Sequence, residues 1–104
     1  FKVVEVTPYR LEAKYSNKRH PDAVTFGKKL EEDLKRRDFT MNAVALKIEK
    51  ESVAGCEVAI VDFFGGQKDL KEGIIRAVGE PAARFAEDAL RILRAIRFSA
   101  ELNF

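Results

Sequence analysis

A chain of 104 residues amounts to about one domain, and 46% hydrophobic content with eight Phe is enough apolar material for a core. Charged residues make up 35% and nearly cancel to a formal +2, so bulk charge does not announce a nucleic-acid binder and any such case rests on local clusters. One cysteine, Cys56, and one histidine, His20, exclude a disulfide framework and argue against a zinc site. A reducing, cytoplasmic setting fits best.

No apolar run approaches the roughly 18 to 20 residues of a spanning helix, and the amino end is not a basic-then-apolar leader, so no membrane partner or targeting is expected. The first residue, Phe1, already sits inside a strand-like run, and we expect the sequence to be a piece of something larger.

FKVVEVTPY reads as a strand ended by Pro8, with Glu5 as the polar residue between Val4 and Val6. On that reading Glu5 faces solvent. RLEAKYSNKRHPDAVTF, with its Ser-Asn-Lys-Arg turn region and Pro21, reads as an irregular connection. KKLEEDLKRRDF suggests a short helix, with Leu30 and Leu34 at i,i+4 and acids ahead of bases; the carboxylates at 31 to 33 read as a solvated face. NAVALKIE and EVAIVDFF read as strands joined around KESVAG, and Gly65-Gly66 ends the second. QKDLKEG is a turn or short helical turn, IIRAVG a short strand, and Gly79-Glu80-Pro81 punctuates before a last helix. This order argues α+β, or mixed α/β, architecture.

The last segment, EDALRILRAIRF, spaces Asp88, Arg91, Arg94 and Arg97 at steps of three. On one continuous helix at about 100° per residue, Phe85, Ala89, Ile92, Leu93, Ile96 and Ala100 share an arc of roughly 100° that would face the core. Truncating Leu93 to Ala would then cost about 2 to 5 kcal/mol. The charges step around the other side. They are either a solvated face, with Asp88 and Arg91 as an exposed pair, or a surface that reads an anion. Arginine at all three positions favours the second, because its planar fork of donors suits a phosphate or the edge of a base.

Three ordered blocks, RRDFTMNAVAL, VDFFGGQKDLKEGIIRAVG and RFAEDALRILRAIRFSAELNF, resemble the class II tRNA nucleotidyltransferase and bacterial poly(A) polymerase family, and VVEVTPYRLEAKYSNKRHPDAVTF ahead of them resembles a further family segment. The resemblance implies a polymerase-β-like nucleotidyltransferase head with a partial sheet over residues 1–80 and the first helix of a neck over 81–104. It implies that Arg37 contacts the incoming nucleotide and that Asp38 beside it organises the sugar site. Asp88 and Arg91 match the pair that presents hydrogen bonds to the base of CTP or ATP, and Arg94 and Arg97 match further arginines at the nucleotide pocket. Glu5 matches a third carboxylate near the metal site.

The chemistry implied is attack of a tRNA 3′-hydroxyl on the α-phosphate of a nucleoside triphosphate, with Mg²⁺ held by carboxylates. The family's upstream Gly-Gly phosphate loop and Asp-x-Asp metal pair are absent from this sequence, as are its downstream tRNA-holding helices. No metal site is expected within the chain, which is not expected to catalyse alone; the upstream and downstream parts of the same enzyme are its implied partners. CCA addition, A-only or CC-only addition and poly(A) synthesis share these motifs. A noncatalytic nucleotide- or RNA-binding module is the alternative from another class, and a plain α/β domain leaves the ordered blocks unexplained.

Overall fold

The computed structural model describes residues 2–11 and 26–104. Among them the order is α1 (Leu30–Lys35), a 3-10 turn (Thr40–Asn42), β1 (Val44–Ser52), β2 (Gly55–Asp62), α2 (Gly66–Glu72), α3 (Pro81–Glu87) and α4 (Leu90–Leu102). This is the mixed α/β class expected from the sequence.

β1 and β2 form one antiparallel hairpin, paired from Val44↔Asp62 to Ser52↔Gly55, with a register shift between Ile48 and Lys50. Gly55 takes φ 135° at the turn, a conformation that strongly favours glycine. The Asp62 carboxylate then accepts hydrogen bonds from the backbone N–H of Gly66 (2.8 Å) and Gln67 (2.9 Å), satisfying two donors at the start of α2. Gly73, at φ 70°, terminates that helix. So QKDLKEG is a true helix rather than a turn. Gly66 is required by packing, since a Cβ there would lie 2.2 Å from the Thr40 carbonyl oxygen.

The core sits where α1 runs into β1. Leu34, Phe39, Ala43, Ala77 and Val78 are buried, with Leu30, Ala45 and Phe64 packed beside them. A buried polar pair adjoins it: Asp69 accepts from the Thr40 hydroxyl (2.7 Å), and also from Nε of the exposed Arg76 (3.0 Å). The Thr40 bond fixes α2 against the 3-10 turn.

Four expectations are corrected. Residues 2–9 do not form a strand: among the described residues they pair with nothing in a ladder, and only Arg10 bridges Phe26. A strand needs a neighbour along its length to pair with, and among the described residues the run has only the Gly27 N–H donating to the Tyr9 carbonyl at its end (2.8 Å). Val3, Val4 and Val6 are accordingly exposed. IIRAVG contributes a single bridge, Ala77 to Phe39, supported by Thr40 N–H donating to the Arg76 carbonyl and Val78 N–H to that of Asp38.

The last helix is broken. Asp88 has φ −143° and ψ 108°, separating α3 from α4. Its Oδ1 accepts from the backbone N–H of Leu90 at 2.9 Å, capping the second helix. Most of the anticipated core arc lies on the outside of the described residues: Leu93 is 62% and Ile96 63% exposed, while Arg91 is only 5% exposed. The irregular connection anticipated over residues 10–26, with His20 and Pro21, falls mostly outside the described residues.

Candidate functional site

A cleft of 460 Å³ opens between two walls. Arg36, Arg37 and Asp38, on the connection leaving α1, and Asn42, at the end of the 3-10 turn, form one wall; Asp88, Arg91, Arg94 and Phe98, from the helix break and α4, form the other. Residues more than forty positions apart in sequence therefore share one concave surface, with four arginines against two aspartates. Such a surface suits an anionic ligand that also offers hydrogen-bonding edges.

Each charged group is held by a specific partner. Asp33, on α1, is 5% exposed and accepts from Arg36 Nη2 (3.0 Å), Arg37 Nη2 (3.2 Å) and the backbone N–H of Arg10 (3.0 Å). Burial pushes its carboxyl upward, but the bonds from Arg10, Arg36 and Arg37 outweigh this and hold it below the value of 3.8. The solvated face expected at 31 to 33 is thus wrong for Asp33, which aims the two arginines.

Asp38 accepts from Arg94 Nε (2.6 Å), Asn42 Nδ2 (3.1 Å) and the Phe39 backbone N–H (2.8 Å). Here too burial raises the carboxyl's affinity for a proton, and the Arg94, Asn42 and Phe39 bonds more than reverse it. The Asp38–Arg94 contact ties the two walls directly. The Arg94 guanidinium also lies 5.1 Å from the centre of the Phe98 ring, whose edge-on partner is the buried Phe39.

Asp88 and Arg91 both reach the cleft, though not as the exposed pair that spacing alone suggested. Arg91 is buried and its Nη1 donates to Glu87 Oε2 (2.8 Å) and to the Arg84 carbonyl (2.7 Å). Arg97 does not line the cleft: it stacks on Phe98 from 5.0 Å and pairs with Glu101 at 3.5 Å. Glu5 is exposed and likewise outside it. Sequence reasoning overlooked Asp33, Arg84 and Glu87. For Asp33 and Glu87 a signal was available, Asp33 to Arg37 and Glu87 to Arg91 at i,i+4, spacings at which side chains meet on one helical face.

Among the described residues no group of three or more His, Cys, Asp or Glu side chains could hold a metal ion. The cleft's aspartates stand among arginines, and Asp38 is already ion-paired, so this donor set does not fit Mg²⁺. No helix of the described residues is long and apolar enough to cross a membrane.

The profile of the poly A polymerase head domain matches residues 2–76. The CCA-adding enzyme of Leuconostoc mesenteroides is 52% identical over 100 residues, covering 96% of this chain and 23% of that enzyme. The CCA-adding enzyme of Lactobacillus helveticus gives the same identity and coverage. Among solved structures, the Bacillus stearothermophilus CCA-adding enzyme in complex with CTP superposes with a TM-score of 0.71 at 46% identity, over 94% of this chain and 20% of that one. A CCA-adding enzyme in an apo form also gives a TM-score of 0.71, at 38% identity over 94% of this chain and 21% of that one. The chain thus spans about a quarter of the length of the curated relatives it matches. With the profile covering most of the chain and the enzymes covering nearly all of it, this chain belongs to the poly A polymerase head-domain family and is a relative of the CCA-adding enzymes.

Proposed function

We propose that this chain supplies the nucleotide-selecting cleft of a template-independent tRNA nucleotidyltransferase that adds C and A to the tRNA 3′ end from CTP and ATP. The observation that carries the reading is the helix break at Asp88, which brings Asp88 and Arg91 together in an arginine-lined cleft. Cytosine and adenine each present an exocyclic amino donor beside a ring-nitrogen acceptor. A carboxylate can accept from the first while a guanidinium donates to the second. Uracil and guanine place a carbonyl acceptor and a ring N–H in those positions, which would set like against like. Side chains in this way replace a template strand.

Arg37 and the neighbouring arginines suit the triphosphate, Arg37 through its fork and Arg94 by holding Asp38 in place. Transfer itself joins the 3′-oxygen of tRNA to the α-phosphorus and releases pyrophosphate. Mg²⁺, where bound, supplies charge neutralisation and activation of the attacking oxygen. The carboxylates for it are assigned to the remainder of the longer enzyme, and this chain alone is inactive on that reading. Residues 1–80 form part of its head and 81–104 open its neck, and the activity is cytoplasmic. CCA addition is preferred to poly(A) synthesis because the relatives are CCA-adding enzymes.

The test is incorporation of labelled CTP, ATP and UTP into tRNA lacking its 3′ end by the full-length polypeptide, native and Asp88→Ala. The native chain is expected to add C and then A. Asp88→Ala should lower the preference for CTP over UTP by about 10-fold or more, with triphosphate binding less affected. Unchanged discrimination would remove Asp88 from base reading, and no incorporation by the native chain would favour a noncatalytic binding module.

A further inference from the structure

Arg84 lies on α3 and lines neither wall of the cleft, yet it is bonded to both. Its side chain is 6% exposed. Nη2 donates to the carbonyls of Arg36 (2.7 Å) and Arg37 (3.0 Å), 48 and 47 residues away. Nη1 donates to Glu87 Oε2 at 2.9 Å, the same oxygen that accepts from Arg91 Nη1 at 2.8 Å. Arg91 returns a bond to the Arg84 carbonyl at 2.7 Å.

The result is a closed circuit. It runs from the backbone that carries Arg37 and Asp38, through one planar guanidinium and one carboxylate, to the guanidinium of Arg91. Asp38 and Arg94 tie the walls at the rim, where Arg94 is half-exposed; Arg84 ties them from beneath, away from solvent. A buried charge-assisted fork fixes both distance and angle, whereas a lone ammonium fixes only distance.

We propose that Arg84 is a positioning residue for nucleotide choice, a role that rests on the nucleotide reading above. It sets the spacing of the two walls and, through Glu87, the orientation of the Arg91 donors that face the base. Hydrogen-bond partners that orient metal ligands touch no substrate either, and their removal typically changes affinity or activity by about 10- to 100-fold; an effect on that scale is expected for a partner that orients Arg91.

Full-length native and Arg84→Lys polypeptides would be compared for steady-state incorporation of labelled CTP and UTP into tRNA lacking its 3′ end, with thermal melts run alongside. Lysine keeps the charge but cannot serve two carbonyls and Glu87 from a fixed plane. The expected result is a cooperative melt, a rise of about 10- to 100-fold in KM for CTP with a smaller change in kcat, and a similar fall in the preference for CTP over UTP.

A merely structural role would reduce the active fraction. It would lower kcat equally for both nucleotides, leave KM and preference as in the native chain, and overturn the proposal. If Arg84→Lys does not melt cooperatively, Glu87→Ala is read in the same assay, because it removes the acceptor shared by Arg84 and Arg91 while sparing the bonds from Arg84 to residues 36 and 37. Native selectivity in that variant also overturns the proposal, and lost selectivity upholds it. A native polypeptide that incorporates neither C nor A overturns the function proposed above, and this role with it. An active native chain beside a selective Arg84→Lys overturns this role alone.

Discussion

The hairpin and the cleft are built by opposite means. β1 and β2 hold each other through a nearly continuous backbone ladder, while Leu46, Ile48, Val58 and Ile60 remain exposed on it. The cleft has little regular backbone pairing, and its shape comes from buried charges: Asp33, Arg84 and Arg91. Hairpin bonds join neighbours across a short turn, but the bonds that tie one wall of the cleft to the other join residues 47 to 56 apart. Backbone ladders tolerate side-chain change, whereas a network of forks fails when one member is removed.

The largest effect expected from breaking this contrast is at Phe39, which is buried beneath the cleft and meets Phe98 edge-on at 6.0 Å. Phe39→Ala should cost about 3 to 5 kcal/mol in a denaturant or thermal melt and loosen α4. At the joint between α2 and the 3-10 turn, Gly66→Ala drives a Cβ into the Thr40 carbonyl and should cost about 1 to 3 kcal/mol. Asp69→Ala leaves the buried Thr40 hydroxyl without its acceptor and should cost a similar amount, about 1 to 3 kcal/mol.

Acid sharpens the comparison further. Asp33 and Asp38 titrate below 3.8, since bonds from arginines and backbone amides outweigh the effect of burial. A carboxyl whose folded value is depressed stabilises the fold at pH above the unfolded value and loses that contribution as pH falls through the folded one. The cleft should therefore open as pH falls below 3.8, while the hairpin's ladder amides keep their protection; hydrogen exchange followed residue by residue would check this.

The smallest effect is expected on the outer face of α4. Leu93→Ala in the 104-residue chain should shift stability by about 0.5 kcal/mol or less, since Leu93 is mostly exposed. The same change in the full-length polypeptide measures whatever covers that face there.

The elements that sequence made legible are the local ones. The hairpin follows from two β-branched runs around a turn, and α1 from Leu30 and Leu34 at helical spacing. Residues 2–9 were misread because a strand's existence depends on a partner that no local pattern contains. The break at Asp88 was missed because EDALRILRAIRF is periodic and holds neither Gly nor Pro. Only the choice of Asp, a residue that caps helices well, hinted at it.

The cleft's membership was partly legible. Arg37, Asp38, Asp88, Arg91 and Arg94 converge, and Arg97 and Glu5 do not. The burial of Arg84 and Arg91 was invisible, because an arginine becomes an interior residue only where distant carbonyls and a carboxylate complete its hydrogen bonds.

The most direct test of the central claim is a crystal structure of the full-length polypeptide with CTP. The cytosine edge should lie within hydrogen-bonding distance of Asp88 and Arg91, and the triphosphate beside Arg37. CTP seated elsewhere, with the Asp88 and Arg91 side chains untouched, would contradict the account.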